Sequence, residues 1–390
     1  MLDAIADVGL DPGTGGYRRC AWTDADLELR EWFVAEAGTR GMDVVEDGNG
    51  NQLAWWGSGR DALLLGSHLD SVPDGGAFDG PLGVVSSFRA LDRLRAEGFT
   101  PTRPIVVANF ADEEGARFGI ACAGSQLTTG ALAPEKALAL KDRDGFTLAE
   151  VMEKRGRDPQ AVGRSDWLDD VGTFVELHVE QGRHLVHTGD AVGVASAIWP
   201  HGRWRLDFRG VADHAGATRM EDRHDPMSAY AATVLAARRL ATDSDARATF
   251  GRLEVAPGGT NAIPSRVRAW LDARAATGDE LEHLVDGIVD AARQAATADA
   301  TEVEPVAESV SPAVTFDVPL RDQIAALLDA PVLPTGAGHD AGVLSPHVPT
   351  AMLFVRNPTG VSHSPAEHAE DADCEAGVDA LARVVETLAT

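Results

Sequence analysis

The sequence predicts an α/β protein: a central, mostly parallel sheet with helices around it, interrupted by a smaller α+β module. Three observations carry this. Short, almost wholly apolar runs recur at residues 63–65, 104–110 and 174–177, as in strands buried on both faces. From about Val194 the pattern changes, and Trp204, Leu206 and Phe208 alternate with arginine and aspartate. That is the pattern of an antiparallel strand with one face in solvent. After Ser311 the parallel α/β character returns. The expected organisation is a larger domain in two parts, residues 1–194 and 312–390, around an insert of residues 195–311.

The elements follow in order. Residues 23–41 form an amphipathic helix with Thr23 or Asp24 as its cap. Residues 44–56 read as a hairpin turning at Gly48-Asn49-Gly50. Leu63, Leu64 and Leu65 open the first buried strand, and Pro81 suits the first turn of the next helix. In that helix Val84, Val85, Phe88, Leu91 and Leu94 share one face, directed at the core. A second strand, PIVVANF, runs to Phe110 and is followed by Asp112-Glu113-Glu114. A third, residues 174–177, leads directly into His178-Val179-Glu180-Gln181-Gly182.

In the insert, the strand around Trp204 precedes a helix over residues 225–241, with Asp225 as cap and Pro226 at its first position. Strands at 250–255 and 267–273, a helix at 279–298 and a strand at 301–310 complete it. This β-α-β-β-α-β order is ferredoxin-like. Beyond the insert come a helix at 318–328, a glycine-rich turn at 336–340, a strand at 350–355 and a final helix from about Cys374 to Leu388.

Composition narrows the function. A hydrophobic content of 44% in 390 residues supports a sizeable core. No run of apolar residues is long enough to span a membrane. The acidic N-terminus is unlike a signal peptide. Cys20, Cys122 and Cys374 are scattered, which fits neither a disulfide framework nor a thiolate zinc site and points to a reducing cytoplasm. The net charge of -27, with lysine only at 136, 141 and 154, leaves no basic patch for nucleic acid. Halophily and a GC-rich gene both explain this acidity.

The chemistry sits at the strand ends, where open α/β sheets place their sites. His68 and Asp70 are two apart, so on an extended chain they share a side, and the carboxylate can orient the imidazole. His68-x-Asp70 alone also fits an ordinary surface turn. The same pattern recurs, however, with Asp79, Glu113, Glu114, His178 and His363, and with His339 in reserve. Histidine and carboxylate without thiolate suit Zn, Mn, Co or Ni. Two divalent ions sharing a bridging carboxylate need about five protein ligands, which leaves one glutamate as general base.

The motifs GSHLDSVPDGGAFDGPLGV, ADEEGARF, ELHVEQG, DHAGATRM, NAIPSRVRAWLDAR and GVSHSPAEH occur in this order over nearly the whole chain. Together they resemble the amidase/hydantoinase/carbamoylase branch of the dimetal aminoacylase-carboxypeptidase superfamily. The resemblance implies a metallopeptidase-like catalytic domain with an inserted lid and dimerisation domain. It implies that His68 and His178 bind one metal, Glu114 and His363 the other, and that Asp79 bridges them. Glu113 would be the general base and proton shuttle, with Asp70 orienting His68. Gln181, His214, Asn261 and Arg274 correspond to substrate-binding positions, His214 or Asn261 stabilising the oxyanion and Arg274 clamping the substrate carboxylate. By itself Arg274 reads as a strand arginine facing solvent, and only the resemblance makes it the clamp. The implied reaction is hydrolysis of a ureido C–N bond in a small carboxylate substrate by a homodimer, with His214 reaching the partner's site. Residues 352–363 resemble allantoate amidohydrolases, so allantoate is the expected substrate. N-carbamoyl-L-amino acid hydrolase or beta-ureidopropionase is the alternative, and an inactive binding relative the remote one.

Overall fold

The computed structural model describes all residues, Met1–Thr390. The chain divides into two compact units, Met1–Ala197 with Thr315–Thr390, and Ile198–Val314. The insert thus runs from 198 to 314, not from 195 to 311. At the first boundary, the strand Val192–Ile198 pairs in the large sheet and carries the large unit past residue 194.

In the large unit the chain forms α1 (Asp24–Thr39), the hairpin β1 (Asp43–Glu46) and β2 (Gln52–Trp56), then β3 (Ala62–His68), α2 (Pro81–Ala96) and β4 (Ile105–Phe110). Three short helices follow, α3 (Ala123–Thr129), α4 (Pro134–Leu138) and α5 (Leu148–Lys154). Next come β5 (Val171–Val179), α6 (His184–Thr188) and β6 (Val192–Ile198). The small unit contains β7 (His201–Arg209), β8 (Asp213–His214), α7 (Pro226–Asp243), β9 (Arg247–Ala256), β10 (Ala262–Ile263), β11 (Arg266–Arg274), α8 (Gly278–Ala298) and β12 (Glu302–Ser311). The return comprises β13 (Val314–Thr315), α9 (Val318–Leu328), β14 (Val332–Thr335), α10 (Asp340–Leu344), β15 (Thr350–Val355) and α11 (Asp371–Leu388).

Local chemistry accounts for several boundaries. Thr23 caps α1 by accepting from the Asp26 amide, Pro81 starts α2, and Asp225 caps α7. The final helix begins at Asp371, ahead of Cys374, with Asp371 and Asp373 in its first turn. Acids there are favoured by the helix dipole.

The large sheet has the order β1-β2-β4-β3-β5-β15-β6-β13, with β14 also paired to β6. Its centre is parallel: β3 pairs with β4 and β5, and β5 with β15. Every residue of β3, β4 and β15 is buried, which is why these segments read as continuous apolar runs. α2 and α11 pack on each other and on this sheet. Leu63, Leu65, Val107, Leu353, Phe88 and Val378 belong to one core cluster, each such burial contributing about 1.5–3 kcal/mol.

In the small unit, four antiparallel strands in the order β12-β7-β11-β9 bury one face against α7 and α8. The strand order is that of a ferredoxin-like module, as the sequence indicated. The other face is polar, with Asp207 buried between Arg205 and Arg268 at 3.0 and 2.6 Å. No helix in the chain is long and apolar enough to cross a membrane.

If the net charge of -27 is a halophilic adaptation, the fold is salt-sensitive. The melting temperature is expected to rise between low and molar salt as carboxylate repulsion is screened. A flat response would assign the acidity to base composition of the gene.

Candidate metal centre

Because β4, β3, β5 and β15 are parallel neighbours, their C-terminal ends lie along one edge of the sheet. His68 ends β3, Asp112-Glu113-Glu114 follow β4, His178 lies near the end of β5 and His363 follows β15. Two groups of donors form there: His68, Asp79 and His178, and Asp79, Glu114 and His363. Within each group the ligating atoms lie within 4.8 Å of one another, close enough to hold a metal ion, and Asp79 belongs to both.

The two Asp79 oxygens divide between the groups. Oδ1 is 3.5 Å from His68 Nε2 and 3.1 Å from His178 Nε2. Oδ2 is 3.6 Å from His363 Nε2, which is 3.4 Å from Glu114 Oε2. Gly80, at φ +85°, permits this: a Cβ there would collide with the His68 ring.

The histidine tautomers follow from their outer contacts. His68 Nδ1 is 3.0 Å from the Asp70 carbonyl oxygen, and His178 Nδ1 is 2.8 Å from the Val179 carbonyl oxygen. A carbonyl only accepts, so each Nδ1 carries a proton and each Nε2 is the atom turned toward Asp79. Both Nε2 atoms are buried without a hydrogen-bond partner, facing Asp79. An imidazole nitrogen and a carboxylate oxygen at this range need a proton or a metal ion between them. The donor set therefore fits a bound metal.

Asp70 has two sets of contacts. The strand ends at His68, so the same-side rule for extended chain no longer applies at Asp70. Its main-chain carbonyl is the nearer partner of His68, with its carboxylate oxygen at 3.5 Å. The carboxylate also accepts the amides of Glu113 and Glu114, both at 3.1 Å. Asp70 thus shapes the turn that presents the two glutamates, and in that turn Asp112 adopts φ +53°.

Glu113 belongs to neither donor group. Its Oε2 is 3.6 Å from His68 Nε2, and its Oε1 is 3.1 Å from the Cys122 thiol, which donates to it. Burial, reinforced by Asp340, Glu114 and Asp70 and opposed by His68, holds its carboxyl well above the ordinary glutamate range. Burial and Asp79 push Glu114 up to about 8. Burial opposes protonation of His68, but Glu113, Asp70 and Asp79 outweigh it and hold its pKa well above the usual value. These directions describe an acid cluster that calls for positive charge.

The remaining candidates are placed as follows. Gln181 Nε2 donates to Asp79 Oδ2 at 2.8 Å. His339 is buried, with its ring 4.6 Å from that of His178, and joins neither donor group. In the small unit, β8 and β10 form a two-stranded ribbon that sets His214 opposite Ala262, beside Asn261. His214 Nδ1 accepts the amides of Gly216 and Ala217 at 3.1 and 3.0 Å, so its ring proton is on the exposed Nε2. Arg274 forks onto Asp272, its same-face neighbour on β11, at 2.8 and 3.1 Å.

Residues the sequence reading missed also converge here. Glu367 accepts the amides of Phe78 and Asp79, Ser362 donates to Asp79 Oδ2 at 2.9 Å, and Asn357 braces the loop before His363. The one available signal was an acid four residues after His363 in a turn.

Residues 64–387 match the model of peptidase family M20/M25/M40. The chain belongs to this family. It is 37% identical to an N-carbamoyl-L-amino acid amidohydrolase of Geobacillus stearothermophilus, covering 100% of this chain and 97% of the relative. It is 31% identical to an allantoate amidohydrolase of Bacillus subtilis, covering 100% and 96%. A solved amidase of the hydantoinase/carbamoylase family from Burkholderia multivorans superposes with a TM-score of 0.88 at 30% identity, covering 100% of this chain and 96% of that one. Within the family, the chain falls in this hydantoinase/carbamoylase branch and is a hydrolase of C–N bonds.

Proposed function

We propose that the chain uses two divalent metal ions to hydrolyse the ureido C–N bond of a small carboxylate substrate, allantoate first among them. The observation that carries this reading is the pair of donor groups meeting at Asp79, with a separate carboxylate, Glu113, facing them. His68, His178 and Asp79 would hold one ion and Asp79, Glu114 and His363 the other, Zn or Mn, with Co and Ni meeting the same donor chemistry. Bound there, such ions polarise a carbonyl and lower the pKa of water.

The chain's own residues do the rest. Glu113 takes the proton of the attacking water on Oε2, because Oε1 is engaged by Cys122. It returns that proton to the departing nitrogen. His214, with an Nε2 proton to donate, stabilises the developing oxyanion together with Asn261. Arg274 holds the substrate carboxylate, taking it in exchange for, or alongside, Asp272. We assign the small unit the roles of lid and dimerisation surface; β9 is an edge strand of its sheet and open to pairing with a second copy. The three cysteines are unpaired, which suits a reducing cytoplasm.

The Geobacillus relative is named for N-carbamoyl-L-amino acids, and its higher identity supports these as the second reading. Ammonia release from a panel of allantoate, N-carbamoyl-L-amino acids and beta-ureidopropionate tests both. Turnover of none of them by fully metal-loaded protein would leave a binding protein rather than an enzyme. On the best substrate, Arg274→Lys is expected to raise KM by about tenfold, since lysine keeps the charge but not the planar fork. An unchanged KM would remove Arg274 from the carboxylate site.

A further inference from the structure

The two donor groups are built differently. His68 and His178 stand in central strands and are fully buried. His363 stands in a loop at φ +55°, with half its side chain exposed. Asp79 itself comes from a second loop, far away in sequence. For Asp79 to offer one oxygen to each group, the two loops must be held in register.

One carboxylate spans them. Glu367 is 5% exposed, and its Oε1 accepts the amides of Phe78 and Asp79 at 2.9 and 3.0 Å. Its Oε2 lies 3.4 Å from Ser362 Oγ, which donates to Asp79 Oδ2 at 2.9 Å. Glu367 thus holds Asp79 through its peptide amide, while Ser362, whose one hydroxyl proton goes to Asp79 Oδ2, packs against the other Glu367 oxygen. Its own amide donates to the Ser364 carbonyl, so it is rigidly tied to the turn carrying His363. Gly76 makes room for it: a Cβ at that position would collide with the Glu367 carboxylate.

We propose that Glu367 is a positioning residue that registers the His363 loop against the Asp79 loop and so builds the second metal site without touching the metal. The inference rests on the dinuclear reading above. The Glu367 carboxyl oxygens face both loops at once, and outer contacts of this kind typically govern metal affinity by about 10–100-fold.

The test is calorimetric titration of chelator-stripped protein with manganese(II), with melting curves of the metal-free proteins alongside. The wild type is expected to take up two equivalents. Glu367→Ala should weaken the second equivalent by about tenfold or more and the first, which keeps His68 and His178 in their strands, by much less. Glu367→Gln keeps an acceptor oxygen and should recover part of that loss. Gly76→Ala displaces the carboxylate with Glu367 intact and should reproduce the selective weakening, so the test stands even where Glu367→Ala does not fold. Equal weakening of both equivalents, or of neither, overturns the proposal. A wild type that takes up only one equivalent overturns the dinuclear reading itself and the inference with it.

Discussion

Glu113→Gln is expected to lower kcat by about 10²–10⁴-fold while the protein keeps its full metal content. The substitution preserves shape, and the amide oxygen can still accept from the Cys122 thiol that now holds Oε1. What it removes is the oxygen able to take a proton. Glu113 lies outside both donor groups, whereas Glu114 belongs to one. Elemental analysis beside steady-state kinetics therefore separates the adjacent acids. Metal loss in Glu113→Gln matching that in Glu114→Gln would make Glu113 a ligand and sink its assignment as the base.

Asp79→Ala should have an equally large effect by a different route. Asp79 is the only residue shared by the two groups, with Oδ1 toward His68 and His178 and Oδ2 toward His363. Its removal leaves each site with two protein ligands and should release both ions, taking activity to background. His363→Ala, in contrast, should release one ion. Retention of one tightly bound ion in Asp79→Ala would show that the carboxylate does not bridge.

The sequence displayed what depends on neighbouring residues and hid what depends on distant ones. β3, β4 and β15 were legible because burial on both faces leaves an unbroken apolar run. The insert was legible because one-sided burial produces alternation, as around Trp204 and Leu206 in β7. His68, Glu114, His178 and His363 stood out as metal-ligand chemistry at strand ends, and the family motifs assigned their roles. The short helices α3 to α5 were missed because a single turn or two has no periodicity to detect. The second set of Asp70 partners, the amides of Glu113 and Glu114, was hidden because they come from another strand's turn. Glu367 and Cys122 were passed over for the same reason: each acts through a contact that only the fold creates.

The position of β15 bears on how the protein is made. This strand, near the end of the chain, lies between β5 and β6, which precede the entire small unit. On the ribosome, the small unit emerges as a continuous segment and can close its own four-stranded sheet at once. The large sheet cannot. The edges of β5 and β6 stay without their central partner until residues 350–355 arrive. During that interval the nascent chain displays uncovered, apolar strand edges, the surface that chaperones shield and that drives aggregation. A product truncated before Thr350 would keep those edges exposed permanently, with a folded small unit attached to an open half-sheet.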